Sequence, residues 1–146
     1  MDYSSTFAIS AAGMALERTR VEVAALNLAN AHTTAAAGQA PFSPMRVVGV
    51  PPQQASFAAM MQAGEGTVAA LKPQYRLETA AAAPRLVHEP GHPLADERGF
   101  VSYPGVDTAA EMVSLMGASR AYEANVAAMN TARSMALKAL DIGGNS

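Results

Sequence analysis

The chain has no cysteine and no tryptophan, and only four phenylalanines and four tyrosines among 146 residues. Without cysteine there is neither a disulfide framework nor a thiolate zinc site, whatever the redox state of the compartment. Half of the residues are apolar, yet 33 of them are alanine, so few side chains are bulky enough to build a thick core. Positive charge is scarce as well. Ten Lys and Arg stand against twelve Asp and Glu, for a net charge of −2. No basic stripe suits a phosphate backbone, and nucleic acid is not an expected partner. No apolar run approaches the roughly 18 to 20 residues that a membrane span needs. Phe7 to Leu16 has the apolarity of a signal-peptide core, but Asp2 precedes it and the first cation is Arg18, so no cleaved signal is expected.

Proline is absent where helices could run. All nine prolines lie between Pro41 and Pro104, leaving both ends free of the residue most hostile to helix. The expected architecture is mainly α with a small β-rich insert. Long N- and C-terminal helices pair as a coiled-coil-like hairpin around a middle β and loop domain. The expected divisions are 1–32, 33–106 and 107–146.

The first helix is expected to start after the Ser4, Ser5, Thr6 cluster and to stop near Asn30, which tolerates the left-handed conformation. The second is expected from Asp107 or Thr108, where Thr108 with Glu111 forms a capping-box pattern, to just before Gly143 and Gly144. Between them, Arg46 to Val50, Tyr75 to Thr79, Arg85 to His88 and Phe100 to Tyr103 read as short strands separated by Pro and Gly turns. The alanine- and glycine-rich stretches 35–40, 55–68 and 80–83 read as loops or linkers, with helical turns the alternative for the alanine runs.

Apolar residues in both end segments recur at alternating threes and fours, the stagger that keeps one stripe against a partner helix. In the first segment, one stripe is Phe7, Ala11, Met14, Arg18, Val21, Ala25 and Leu28. A nearly opposite one is Ile9, Ala12, Leu16, Thr19, Val23, Leu26 and Asn30. In the second, a stripe through Met112, Leu115, Ser119, Tyr122, Val126, Met129, Arg133, Ala136 and Leu140 runs beside a small-residue stripe through Ser114, Ala118, Ala121, Asn125, Ala128, Ala132, Met135 and Ala139. A hairpin covers one side of each helix, and leaving large side chains in water forfeits about 1.5 to 3 kcal/mol apiece. Either the middle domain folds back over the second stripes or neighbouring molecules cover them.

The expected interface residues are Ile9, Leu16, Val23, Leu26, Asn27, Asn30, Met112, Leu115, Arg120, Tyr122, Asn125, Val126 and Met129. Arg120, Tyr122 and Asn125 combine apolar stems with polar heads suited to a subunit boundary. Asn27 and Asn30 either end the helix or bridge to a neighbour's backbone. His88-Glu89-Pro90-Gly91-His92 spells the H-E-x-x-H pattern of zinc peptidases. That motif needs a helix to bring both histidines to one face. Pro90 costs a helix about 3 kcal/mol and Gly91 about 1 kcal/mol, so a zinc hydrolase built on His88 and His92 is set aside and no catalytic residue, cofactor or metal is assigned.

Two stretches bear a family likeness. GMALERTRVEVAALNLANAHT, Gly13 to Thr33, ends in the Asn27-Leu28-Ala29-Asn30 signature common to flagellar axial proteins. HEPGHPLADERGFVSYPGVD, His88 to Asp107, followed by EMVSLMGASRAYEANVAAMNTARSMALKALDIG, Glu111 to Gly143, resembles the FlgC type of flagellar basal-body rod protein in particular. The chain departs from the family's usual residues at Leu26, His32 and Gly105.

The resemblance implies a non-enzymatic subunit of the proximal rod, the shaft that crosses the periplasm and carries torque towards the hook. Its terminal helices would form the inner tube. The implied partners are further copies, other rod proteins, the rod-to-motor adaptor and the flagellar type III export apparatus. Export there needs no cleaved signal. Another flagellar rod or hook protein is the alternative.

Overall fold

A computed structural model describes residues 3–35, 39–50 and 73–144. Two long helices enclose four short strands: α1 (Tyr3–Asn30), β1 (Met45–Val50), β2 (Gln74–Thr79), β3 (Arg85–His88), β4 (Phe100–Tyr103) and α2 (Thr108–Gly144). The mainly helical pattern with a small β middle is the expected one. β3 and β4 coincide with the expected strands, while β1 and β2 each begin one residue earlier. Residues 80–83 carry no regular structure, as expected. Residues 36–38 and the whole 55–68 stretch lie outside the described residues.

The helix ends correct the sequence reading in three respects. α1 already begins at Tyr3, so the serine and threonine cluster lies inside its first turn rather than before it. α2 is capped by Asp107, not by a box made with Thr108. Asp107 Oδ1 accepts the amides of Ala109 at 3.0 Å and Ala110 at 3.1 Å, satisfying two of the donors that a helix start leaves open. Glu111 is then free to send its carboxylate elsewhere. At its other end α2 continues through Gly143 and Gly144, because glycine weakens a helix by about 1 kcal/mol without forbidding it.

The chain forms two compact units, and each helix contributes to both. The first contains α1 up to Thr19, Gly49 and Val50, Pro73 to Arg76, and α2 from Ala118. The second contains Arg20 to Val48 and Leu77 to Gly117. In the first, Thr19 Oγ1 donates to the carbonyl of Ala15 at 3.0 Å and lies 3.0 Å from the Tyr75 hydroxyl. With the threonine proton used along the helix, Tyr75 is the donor to Thr19.

The second unit holds the β3–β4 hairpin, antiparallel with Arg85 opposite Tyr103 and His88 opposite Phe100. Because strand faces alternate, Val87 and Val101 share one side and His88 and Phe100 the other. Val101 is fully buried, and the His88 and Phe100 rings stand 5.1 Å apart. Asp96 closes the loop between the strands. Its Oδ1 accepts the amides of Arg98 at 2.9 Å and Phe100 at 2.8 Å, while Gly99 takes the left-handed turn at φ 79°.

Pro104 is buried beside this hairpin's exit, and Gly105 follows it. A Cβ on Gly105 would strike the carbonyl oxygen of Ala83 and come within 3.0 Å of the Ala82 methyl. Backbone cannot swing aside as a flexible side chain can. Gly105→Ala is therefore expected to lower stability by about 1–3 kcal/mol through overpacking. Gly49→Ala, whose added methyl would meet nothing within 4 Å, should unfold in urea close to the parent chain.

Candidate assembly interface

On the two helices the residues covered within the chain are mostly small or polar, with Val23 the one larger apolar residue among the buried ones described. On α1 the first unit buries Ser10 and Glu17 and the second buries Val23, Ala24 and Asn27, with Ala31 buried in the turn just after the helix. With Gly13, the residues Ser10, Glu17, Ala24, Asn27 and Ala31 fall on one stripe of threes and fours. At 100° per residue this stripe runs midway between the two apolar stripes read from the sequence. Neither stripe is the seam, and both flank it. Phe7, Met14, Val21 and Leu28 on one side, and Ile9, Ala12, Leu16, Thr19 and Asn30 on the other, are half-buried. On α2 the covered line is likewise the small-residue one: Ala118 and Ala132 are buried, while Glu111, Ser114, Ala121 and Asn125 are half-buried.

Small residues let the helix backbones approach closely. In the first unit, a Cβ on Gly13 would lie 3.0 to 3.2 Å from the Asn125 carboxamide atoms, so a methyl group there would require the Asn125 side chain to shift. In the second unit the seam is polar. Asn27 has no exposed surface; its Nδ2 donates to the Met45 carbonyl at 2.8 Å and to Glu111 Oε1 at 2.9 Å. Its Oδ1 accepts the Met45 amide at 2.9 Å. One carboxamide thereby joins the last turn of α1, the first residue of β1 and the first turn of α2. The clasp depends on Glu111 being spared from capping. Among the described residues, no buried side-chain polar atom lacks a partner.

The large apolar side chains of α2 point outward. In the second unit Met112 is 57% exposed, Val113 66% and Met116 53%, and Leu26 of α1 is 43% exposed. In the first unit Tyr122, Met135, Leu137 and Leu140 are also exposed.

Of the expected interface residues, Leu26, Met112, Arg120 and Tyr122 are therefore exposed, and Ile9, Leu16, Asn30, Leu115, Asn125, Val126 and Met129 are half-covered. Val23 and Asn27 are buried within the chain itself. Asn27 spends its side chain within the chain, on the Met45 backbone and the Glu111 carboxylate, while Asn30 donates to the Leu26 carbonyl at 2.8 Å, a helix-end bond. The sequence reading omitted Val113 and Met116. Their signal was the three-residue step between them, hidden beside the stronger Met112 and Leu115 pattern.

The H-E-x-x-H segment has no helix. His88 is on β3 and His92 is in a turn, where its Nδ1 accepts the Leu94 amide at 3.1 Å. Glu89 Oε2 accepts the Tyr103 hydroxyl at 3.1 Å. Among the described residues, no three His, Asp or Glu converge as metal ligands.

In each unit α1 and α2 are covered along small and polar residues, and the largest apolar side chains of α2 are left exposed. Residues 97–142 match the family model described as flagellar basal body rod FlgEFG protein C-terminal. The flagellar basal-body rod protein FlgC of Salmonella typhimurium is 39% identical over 137 residues, covering 94% of this chain and 95% of that protein. The FlgC of Bacillus subtilis is 34% identical, covering 92% and 94%. The FlgC of Borreliella burgdorferi is 28% identical over 97% and 98%. The chain belongs to the FlgC family of flagellar basal-body rod proteins. It is a structural protein of the proximal rod and not an enzyme.

Two measurements test this geometry. Asn27→Ala strands the Met45 amide and carbonyl and the Glu111 carboxylate, and should cost the isolated chain at least about 1–3 kcal/mol in urea unfolding. Partial burial of Tyr103, then its hydrogen bond to Glu89 and the Glu89 charge, raise its phenol above the ordinary value of 10.0, with Arg85 opposing. Glu89→Gln should move the Tyr103 absorbance titration downward. Because the folded phenol holds its proton more tightly, its contribution to stability is present below the unfolded value and fades as pH rises through the folded one.

Proposed function

We propose that this subunit enters the rod by laying the outward apolar side chains of α2, with Leu26 of α1, against neighbouring subunits. The single observation that carries the reading is that Met112, Val113 and Met116 are each more than half exposed on a helix whose covered line is alanine and polar residues. Covering their exposed parts would contribute roughly half of the 1.5–3 kcal/mol that fully burying a large side chain is worth. Ile9, Leu16, Leu115, Arg120, Tyr122, Asn125, Val126 and Met129 form the half-covered and exposed margins of this surface. Val23 and Asn27 act from inside, holding the faces in position.

The neighbours in this reading are further copies of the chain and other rod proteins. The rod-to-motor adaptor and the export apparatus complete the partners, with the 1–32 and 107–146 segments in the shaft and 33–106 projecting from it. The rod lies in the periplasm and the chain reaches it through the flagellar type III apparatus, without a cleaved signal. No helix among the described residues is long and apolar enough to cross a membrane.

Leu26→Asp should abolish swimming and incorporation into basal bodies. Because Leu26 is already partly in water, the purified chain should keep its stability within about 0.5 kcal/mol. Normal swimming by that variant would contradict the reading.

A further inference from the structure

The chain has nine methionines and no cysteine, so thioether is the only form of sulfur it offers an oxidant. Of those described, Met14, Met45 and Met129 are half-covered, whereas Met112, Met116 and Met135 are 57%, 53% and 50% exposed. Met112 and Met116 differ from Met135 in their surroundings. They stand one turn apart on α2 and so share a face, with the exposed Val113 beside them, all within the second unit. No other methionine lies within a turn of Met135. A methionine side chain is apolar and adaptable, which suits a surface that a neighbour must cover. One added oxygen turns it into a polar sulfoxide. Towards water that change is tolerated, but under a neighbour each new oxygen must be stripped of its hydration.

Resting on the docking reading above, we infer that Met112 and Met116 form an oxidation site whose state decides whether the subunit can dock. Hydrogen peroxide is the oxidant. A sulfur lone pair attacks one peroxide oxygen, the O–O bond breaks, and that oxygen stays on sulfur as the sulfoxide. The other oxygen leaves with both protons as water, so sulfur is oxidised by two electrons and the peroxide reduced by two. A dithiol reductant reverses the step: it takes the oxygen away as water and becomes a disulfide. The site is open only before docking, because a neighbour seated on Met112, Val113 and Met116 excludes the oxidant. Oxidised copies are thereby kept out of the growing rod, and copies already in it are spared.

Hydrogen peroxide applied to the purified full chain, with peptide mass spectrometry as readout, should oxidise Met112 and Met116 severalfold faster than Met14, Met45 and Met129. In isolated basal bodies the same two should slow to the rate of the half-covered methionines. Equal rates for all five in the free chain overturn the inference, and undiminished oxidation of the pair in basal bodies overturns the docking reading with it.

In cells, a Met112→Gln, Met116→Gln chain places an amide oxygen where each sulfoxide oxygen would be, and should enter basal bodies about tenfold less than the parental chain. Under peroxide, newly made parental chain should show the same loss. Met112→Leu with Met116→Leu keeps volume and apolarity without sulfur, and should enter as well with peroxide as without it. Equal loss of the parental and leucine chains under peroxide overturns the inference, as does normal entry of the glutamine chain while Leu26→Asp stays out. Normal entry of both the glutamine chain and Leu26→Asp shows instead that the docking reading is wrong.

Discussion

A buried carboxamide that makes three hydrogen bonds to two other segments is a demanding thing to build, and Asn27 is one. Leaving any of its partners unpaired away from water costs about as much as the net gain of one or two ordinary hydrogen bonds. The start of β1 must therefore return to the end of α1, and α2 must begin within reach of both. Asp107 enters the same constraint from outside. By taking over the cap of α2 it releases Glu111, which would otherwise fold back on its own helix start, to meet the Asn27 amide.

The remainder of the helix pair follows from the same economy of volume. Where Gly13 faces Asn125, and where Ala24, Ala118 and Ala132 are covered, nothing larger than a small side chain separates what packs. Close backbones gain dispersion contacts but bury little apolar area. The larger groups were placed on the flanks and the far face of α2, where the chain itself does not reach. In a solitary globule this would be an inverted arrangement. In a subunit whose surroundings are other subunits, it is the ordinary rule of burying bulk, applied to the assembly.

Much of this was legible in the residues. The proline-free ends announced both helices, and the Arg85 to His88 and Phe100 to Tyr103 runs announced the hairpin. The seam was not, because periodicity was followed through the largest side chains. Ser10, Gly13, Glu17 and Asn27 carry the same three-and-four stagger, yet polar residues do not advertise burial until a partner such as Glu111 is seen opposite them. Thr108 and Glu111 looked like a capping box for a related reason. The local pattern was complete, and a partner 84 positions away in sequence overrode it. The outward apolar face was only half legible: Met112 was on the stripe, but Val113 and Met116 lay beside it.

The alanine-rich outer side of α1 has its own consequence. Ala11, Ala15, Ala25 and Ala29 are exposed there, interrupted by Arg18, Glu22 and Leu26. With so little bulk on that outer side, a neighbour docking there would add to the stability of this helix by mass action. A cell short of neighbours would then hold copies that fray and invite proteases, whereas a growing shaft would rescue each arrival as it docks. Supply and quality control would be read from one quantity, the number of vacant places at the tip.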